Sequence, residues 1–542
     1  METIPSHSIA WPLLLLTGLS VSIGWGVRGQ FGHEYGAALA GALGGMTVAL
    51  LGGRQDWLPR IPYFAFLGAV GFAFGGAMSY MKTVAYIHSS DSATVLYGFA
   101  CLFLLGGLWA APAGAGLGLA ASLDREQVTR LFIPVSAIFL AWHFSDTLRG
   151  PYRALPLVGY LGDYGLTGMI ALIVVALMVL IRRRNWGDGA FLIVCMAVGS
   201  WAGHLLLIAL LRLDMNPPRG DTWASNAGLV AGILFFSWRR RLGGVAFATL
   251  GGLLLGGMGF ALGGAVKLLV MSSGYDTNWH SILEQSQGFF LGIALAITMG
   301  ILAARTPMLA DQPPVRRWTE VFSVVFVLWL LPYLNLRRSP GEWVNEIAGL
   351  KPEIYGIRIN GDFVFSRGFL GWFDMVFLAI AIAMIFLLAL HLRRPLPLIP
   401  TSWMGKGQLF YLVFLWTTVT INFMDVLPRF TPIRLVTEWF ITVNAAACTI
   451  LLVIGCFLLG APSGVPVEAP VGVPAGPGAP PAPRAAPYAP VIRNLILAGL
   501  AGAVVVSFAG WAVKRAIYGD KFTGGGGTDQ IRFGPHNTNS IR

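Results

Sequence analysis

The sequence predicts an all-α polytopic membrane protein: a bundle of about 15 transmembrane helices, formed by two parallel six-helix repeats and three C-terminal helices. Three observations carry this expectation. Of the 542 residues, 56% are hydrophobic and only 11% charged, whereas a soluble globular chain carries roughly 25% charged residues; the mean hydropathy is +0.69. The apolar residues fall in runs long enough to cross a hydrocarbon core about 30 Å thick. Two groups of motifs recur in the same order along the chain.

The runs predict helices at 9–27, 35–53, 62–82, 95–121, 131–147, 164–181 and 189–211, then at 223–238, 244–271, 285–304, 318–336, 367–391, 408–424, 435–460 and 491–513. Helices are expected because lipid offers the backbone no hydrogen-bond partner. The second and eighth runs are the weakest spans. The first follows Glu2 instead of a basic region and lacks a clear cleavage motif, so it reads as a retained helix.

Loops after the even-numbered helices carry more Lys and Arg than those after the odd ones, as in Arg182-Arg183-Arg184 and Arg239-Arg240-Arg241. The positive-inside rule makes these loops cytoplasmic, with the N-terminus inside and, for an odd number of spans, the C-terminus outside. A cytoplasmic (inner) membrane is the expected location. The net charge of +12 is thereby absorbed by helix orientation, and a nucleic-acid partner is excluded. Cys101, Cys195, Cys448 and Cys456 lie inside apolar runs with no CxxC spacing, so they read as small hydrophobes.

RGQFGHEYGAALAG from Arg28 aligns without gaps on RGDTWASNAGLVAG from Arg219, and GFAFGGAM from Gly71 matches GFALGGAV from Gly259. The offsets are 191 and 188 residues, and six helices separate equivalent points. An even number leaves the halves in the same orientation. The expected organisation is a first six-helix repeat over 1–188, a second over 189–395, two additional helices within 396–460, a Pro/Ala/Gly-rich linker at 461–490, a detached last helix at 491–513 and a tail at 514–542, flexible or bound to a protein partner. The helix arithmetic is similar to that of the major facilitator superfamily. After the second helix, however, GGRQDWLPR from Gly52 departs from that family's Gly-x-Leu-x-Asp-Arg-x-Gly-Arg pattern, and the chain is not assigned to it. Small residues four apart, such as Gly71 and Gly75, read as close-packing positions.

Candidate chemistry gathers on the expected outer side. Arg28, His33 and Glu34 share a short stretch between the first two helices, with residue types that bind anions or relay protons; the plainer reading is a loop that solvates its charges. In the second half Arg219, Gly220 and Asp221 stand at the equivalent place, and Ser225 replaces Glu34. His143 and Asp146 are three residues apart at a helix end, followed by Arg149 and Arg153, and read as a proton-transfer pair or as local pairing. Asp276, His280 and Glu284 follow the ninth helix, the last two one helical turn apart if that segment is helical. His88 adds another imidazole on this side. His204 lies within the seventh helix, facing a cavity or a neighbouring helix. Lys82, Lys267, Asp374, Asp425 and Glu438 sit near helix ends, where they snorkel, cap or line a cavity. The loop from Arg337 to Arg367 could form a surface amphipathic helix and serve as a lid or a cap.

No HExxH, HxxxH or nucleotide-binding motif is present, so neither a metal, a cofactor nor ATP drive is expected. The favoured function is a transporter of a small solute, anionic or proton-coupled. The alternatives are a membrane-embedded transferase or hydrolase acting on a lipid-linked substrate at the outer face, and a non-catalytic subunit of a membrane complex.

Overall fold

Apolar runs become helices wherever the backbone must satisfy its own hydrogen bonds, and the protein follows that rule almost throughout. A computed structural model describes residues 10–152 (except 77 and 79), 156–181, 187–215 (except 214), 222–309, 318–337, 406–426, 431–458 and 488–523, with isolated positions between 339 and 386. The first helices are α1 (Trp11–Phe31), α2 (His33–Leu51), α3 (Ile61–Gly75), α4 (Met81–Tyr86), α5 (Ser92–Ser122), α6 (Arg125–Tyr152), α7 (Pro156–Ile181) and α8 (Asp188–Gly203), the last continuing as a π-helix over His204–Leu210. They are followed by α9 (Thr222–Arg239), α10 (Gly243–Met271), α11 (Trp279–Arg305), α12 (Trp318–Val325) and α13 (Leu331–Leu336), the last two joined through a π-helix at Phe326–Leu330. Then come α14 (Lys406–Val426), α15 (Leu435–Leu458) and α16 (Ala489–Tyr518).

Among the described residues, ten helices are long and apolar enough to cross a bilayer, which marks the chain as an integral membrane protein with an all-α body. Large apolar side chains such as Leu180, Leu210, Leu497 and Val505 lie exposed on the outer surface, as a lipid solvent permits. The expected 367–391 helix lies mostly outside the described residues, as does most of the 337–367 loop. Within that loop Arg358–Ile359 (β1) and Asp362–Phe363 (β2) pair as a short antiparallel hairpin, and the expected surface helix falls on residues outside the described ones.

Six helices form the centre. α1 packs on α2, α2 on α3, α3 on α5, α5 on α10, α10 on α11, and α11 returns to α1, so the ring takes members from both expected halves. Each seam carries a glycine whose replacement would drive a Cβ into the neighbouring helix: Gly24 against Ala40, Gly41 against Gly68, Gly71 against Pro112, Gly114 against Ala248, Gly259 against Phe290 and Gly292 against Thr17. Without a hydrophobic driving force between helices in lipid, such backbone approach supplies the packing energy. Aromatic rings fill the interior, where Trp25 lies 5.6 Å from Phe72, 4.8 Å from Trp109 and 6.0 Å from Phe260. Outside the ring, α6 to α9 pack together with α9 against α5 and α10, while α14 and α15 lie on α1.

Three expectations require correction. The stretch from Arg28 to Glu34 is not a loop, because α1 runs to Phe31 and α2 starts at His33, with only Gly32 between them. The third helix stops at Gly75, well short of 82. There the carbonyl of Gly75 accepts from Asn226 Nδ2 at 3.3 Å, and Gly76 lies so near the backbone of His33 and Glu34 that a Cβ would collide with it. The matching GFALGGAV lies inside the unbroken α10, so the same glycine pattern ends one helix and packs another. Finally, the last helix is not detached. Gly499, Gly502 and Gly510 of α16 seat it on Leu254 and Met258 of α10 and on Phe99 of α5.

Candidate functional site: a buried arginine cluster

α1 turns into α2 across one residue, and Gly32 takes φ +95° to do so, a conformation that favours glycine. This tight corner leaves Arg28 in the last turn of α1, buried at 2% exposure. A buried guanidinium needs partners. Its Nη1 is 2.8 Å from His33 Nδ1, and Nη2 donates to Tyr80 Oη at 2.5 Å and to Glu284 Oε1. Its Cζ lies 4.9 Å, 5.0 Å and 5.2 Å from the ring centroids of Trp25, Trp109 and Tyr80, so three aromatic rings surround the charge.

Glu284 reaches this position because α11 starts early. Asn278 caps it, its side chain accepting from Ser281 N at 3.3 Å, and the first turns bring His280 and Glu284 onto one face. The helical condition on that pair is therefore met. His280 Nε2 lies 3.3 Å from Glu284 Oε1, with the imidazole 40% exposed and the carboxylate 2% exposed. Gly29 makes the approach to α1 feasible, since a Cβ there would collide with the Glu284 carboxylate. Tyr80, in the break after α3, donates to the same Glu284 oxygen at 2.7 Å and stacks over His280 at 6.3 Å.

Several buried polar atoms around the cluster have no hydrogen-bond partner: the donors Trp25 Nε1, Trp109 Nε1 and Arg28 Nε, and the acceptors Gln287 Oε1 and Asn226 Oδ1. Buried polar atoms are ordinarily paired, and Trp25, Trp109 and Arg28 lie in mutual contact at the ion pair.

The structure brings Arg28, His33, His280 and Glu284 together, and Glu34 adds its negative field to Arg28 from the first turn of α2. Among the described residues, two other candidates stand apart from this cluster. His204 stands where α8 passes into its π-helix, buried, and Asp276 is exposed before α11. His143, Asp146 and Arg149 lie on α6, but their side chains are outside the described residues; Arg153, Arg219 and Asp221 are outside them altogether. Of the helix-end residues, Asp425 accepts from Ser339 Oγ at 2.7 Å, Glu438 accepts from Asn422 Nδ2, and Lys267 meets His88 at 3.0 Å, so these three form specific buried pairs in place of snorkelling. The side chains of Lys82 and Asp374 lie outside the described residues. Tyr80, Trp25, Trp109, Gln287 and Asn226 were not singled out from sequence, because each sits in an apolar run and looks like packing.

No family model, curated protein or solved structure matches the chain.

Proposed function

We propose that the protein is a secondary transporter of the cytoplasmic membrane, moving a small anionic solute with proton coupling, and that the Arg28 cluster gates its non-cytoplasmic end. The buried Arg28–Glu284 pair carries this reading: it ties α1 of the first proposed repeat to α11 of the second, where the two halves of a transporter would part. Arg54, Arg60, Arg125, Arg130 and Arg305 lie in or beside the short connections at the opposite helix ends, which supports a cytoplasmic assignment for that face.

The chemistry follows from the exchangeability of the carboxylate. Removing one partner from a buried ion pair costs about 3–5 kcal/mol, because the other charge is left unpaired. An incoming anion avoids that cost by taking the guanidinium as Glu284 leaves, and the free N–H groups of Trp25, Trp109 and Arg28 add donors for it. His280 is partly exposed and in contact with Glu284, so it can pass in the proton that neutralises the released carboxylate. Proton entry and anion binding then favour the same open arrangement.

Purified protein in liposomes tests this with a panel of small carboxylates and phosphates under an imposed proton gradient. Gradient-driven uptake is expected for the wild type, and Glu284→Gln should lose the gradient dependence while retaining solute exchange. If no solute moves, and cells lacking the protein accumulate an altered lipid or glycan, the transporter reading gives way to a membrane-embedded transferase or hydrolase.

A further inference from the structure

A second polar cluster lies at the same end of the bundle, built from separate elements and independent of the transporter reading. His88, in the turn between α4 and α5, is buried. Its Nε2 is 3.0 Å from Lys267 Nζ on α10, so the ammonium donates and the imidazole accepts. Nδ1 then carries the ring proton and donates to Thr523 Oγ1 at 2.9 Å. Thr523 N donates in turn to His88 O at 3.1 Å, pinning the segment that follows α16 across the turn. Lys514, near the end of α16, is 2% exposed and donates to the carbonyls of Lys521 at 2.7 Å and Gly519 at 3.3 Å. Tyr518 joins the two lysines: its ring lies 5.7 Å from Lys514 Nζ, and its hydroxyl donates at 2.8 Å to the carbonyl of Leu268, the neighbour of Lys267.

Among the described residues the charges here do not balance. Lys267 and Lys514 are both buried, and neither pairs with a carboxylate among the described residues; Asp520, the acid nearest in sequence to Lys514, is taken by Arg515. His88 supplies no charge of either sign, since burial and then the two ammoniums push its pKa down to about 3. Each ammonium has three protons, of which described partners take two at Lys514 and one at Lys267. Two like charges held out of water without a counter-ion are strongly disfavoured, so an anion belongs with them. The height in the membrane narrows its class. α16 exposes Leu497, Leu500, Val504, Val505 and Phe508, and Lys514 lies just beyond that apolar face, beside the polar turn at Gly519. Phosphate groups of lipids lie at this level, and a phosphate has oxygens enough for both ammoniums.

We infer that Lys267 and Lys514 form a binding site for a phosphate group, supplied by a phospholipid headgroup or by free phosphate, with the Thr523 segment as its cover. The test uses the full chain, delipidated in detergent, and reads the thermal unfolding midpoint at matched ionic strength as inorganic phosphate or short-chain phosphatidylglycerol is titrated. A saturable rise with one of the two is expected, phosphate alone marking a soluble ligand and phosphatidylglycerol alone a lipid. Lys267→Met and Lys514→Met should each weaken the apparent affinity about tenfold, near 1.4 kcal/mol. Lys267→Arg keeps the charge and should retain the response, guarding against loss of fold. A wild type indifferent to both ligands, or methionine variants that respond as it does, would overturn the site.

Discussion

The two ends of α11 are both fastened to the α1–α2 hairpin by an arginine, but by different chemistry. At the first end Arg28 is held by the Glu284 carboxylate inside a ring of aromatics. At the second, Arg54, just beyond α2, donates to the carbonyls of Ala303 at 2.9 Å, Pro307 at 2.8 Å and Thr306, where α11 ends. Asp56 braces that arginine in a two-pronged pair at 2.7 Å and 2.6 Å and accepts from Leu309 N at 3.1 Å. Arg60 repeats the device at the end of α5, donating to Ala120 O at 2.7 Å and Leu123 O at 2.6 Å. A cation on the last carbonyls of a helix satisfies orphan acceptors and the helix dipole together. Carbonyls do not titrate, so the Arg54 end rests only in part on a titratable group, Asp56, whereas the charge of Arg28 is paired with Glu284. On the transporter proposal, the contrast is between a standing clamp and a connection that can be exchanged.

The largest effect should come from Glu284→Ala, which leaves the Arg28 guanidinium buried without its counter-charge. The expected loss is about 3–5 kcal/mol, read as a lowered unfolding midpoint and, on the transporter proposal, accompanied by loss of uptake. Arg54→Ala should cost less, about 1–3 kcal/mol for the stranded carbonyls and Asp56, and should leave the pH dependence of transport unchanged. A pH profile altered as in Glu284→Gln would erase the distinction between the two ends.

Gly29→Ala sharpens it further, because the new methyl meets the Glu284 carboxylate. Overpacking of about 1–3 kcal/mol is expected, against a smaller change for Gly187→Ala, where nothing lies within 4 Å. Acid should act next. Burial pulls the Asp56 carboxyl upward, but the hydrogen bonds from Arg54 and Leu309 outweigh it and hold the group below its ordinary range. Its stabilisation is therefore present above the ordinary value of 3.8 and lost as pH falls through the lowered folded value. Asp56→Asn should flatten the midpoint-against-pH curve there. His88 gives the most local readout: the unfolded chain takes up its proton near pH 6.5 and the folded one only near 3, so stability falls as pH drops through that window. Hydrogen exchange in the 519–523 segment should rise between pH 7 and 5, and His88→Gln should abolish that rise.

The helices were legible because hydrocarbon thickness sets a length and lipid forbids unpaired backbone. The residues of α5 and α10, and those of α12 through α13 taken together, fall close to the expected runs. Arg28 and Glu284 were each singled out as candidates, yet nothing in the chain joined positions 256 residues apart. Trp25 and Trp109 looked like packing, and only their contact with a guanidinium gives them another role. The Pro/Ala/Gly linker made α16 look independent, although Gly499 and Ala503, four apart, already had the small-residue spacing of a packed helix.

By itself the sequence determined a membrane-embedded, predominantly helical chain, since this follows from local composition measured against a uniform solvent. Only the tertiary structure decided which glycines end helices and which join them, that α16 belongs to the bundle, and that Arg28 meets a carboxylate while Lys267 and Lys514 meet none among the described residues. Those outcomes depend on which helix stands beside which, and a charge acquires its meaning from neighbours that lie hundreds of residues away.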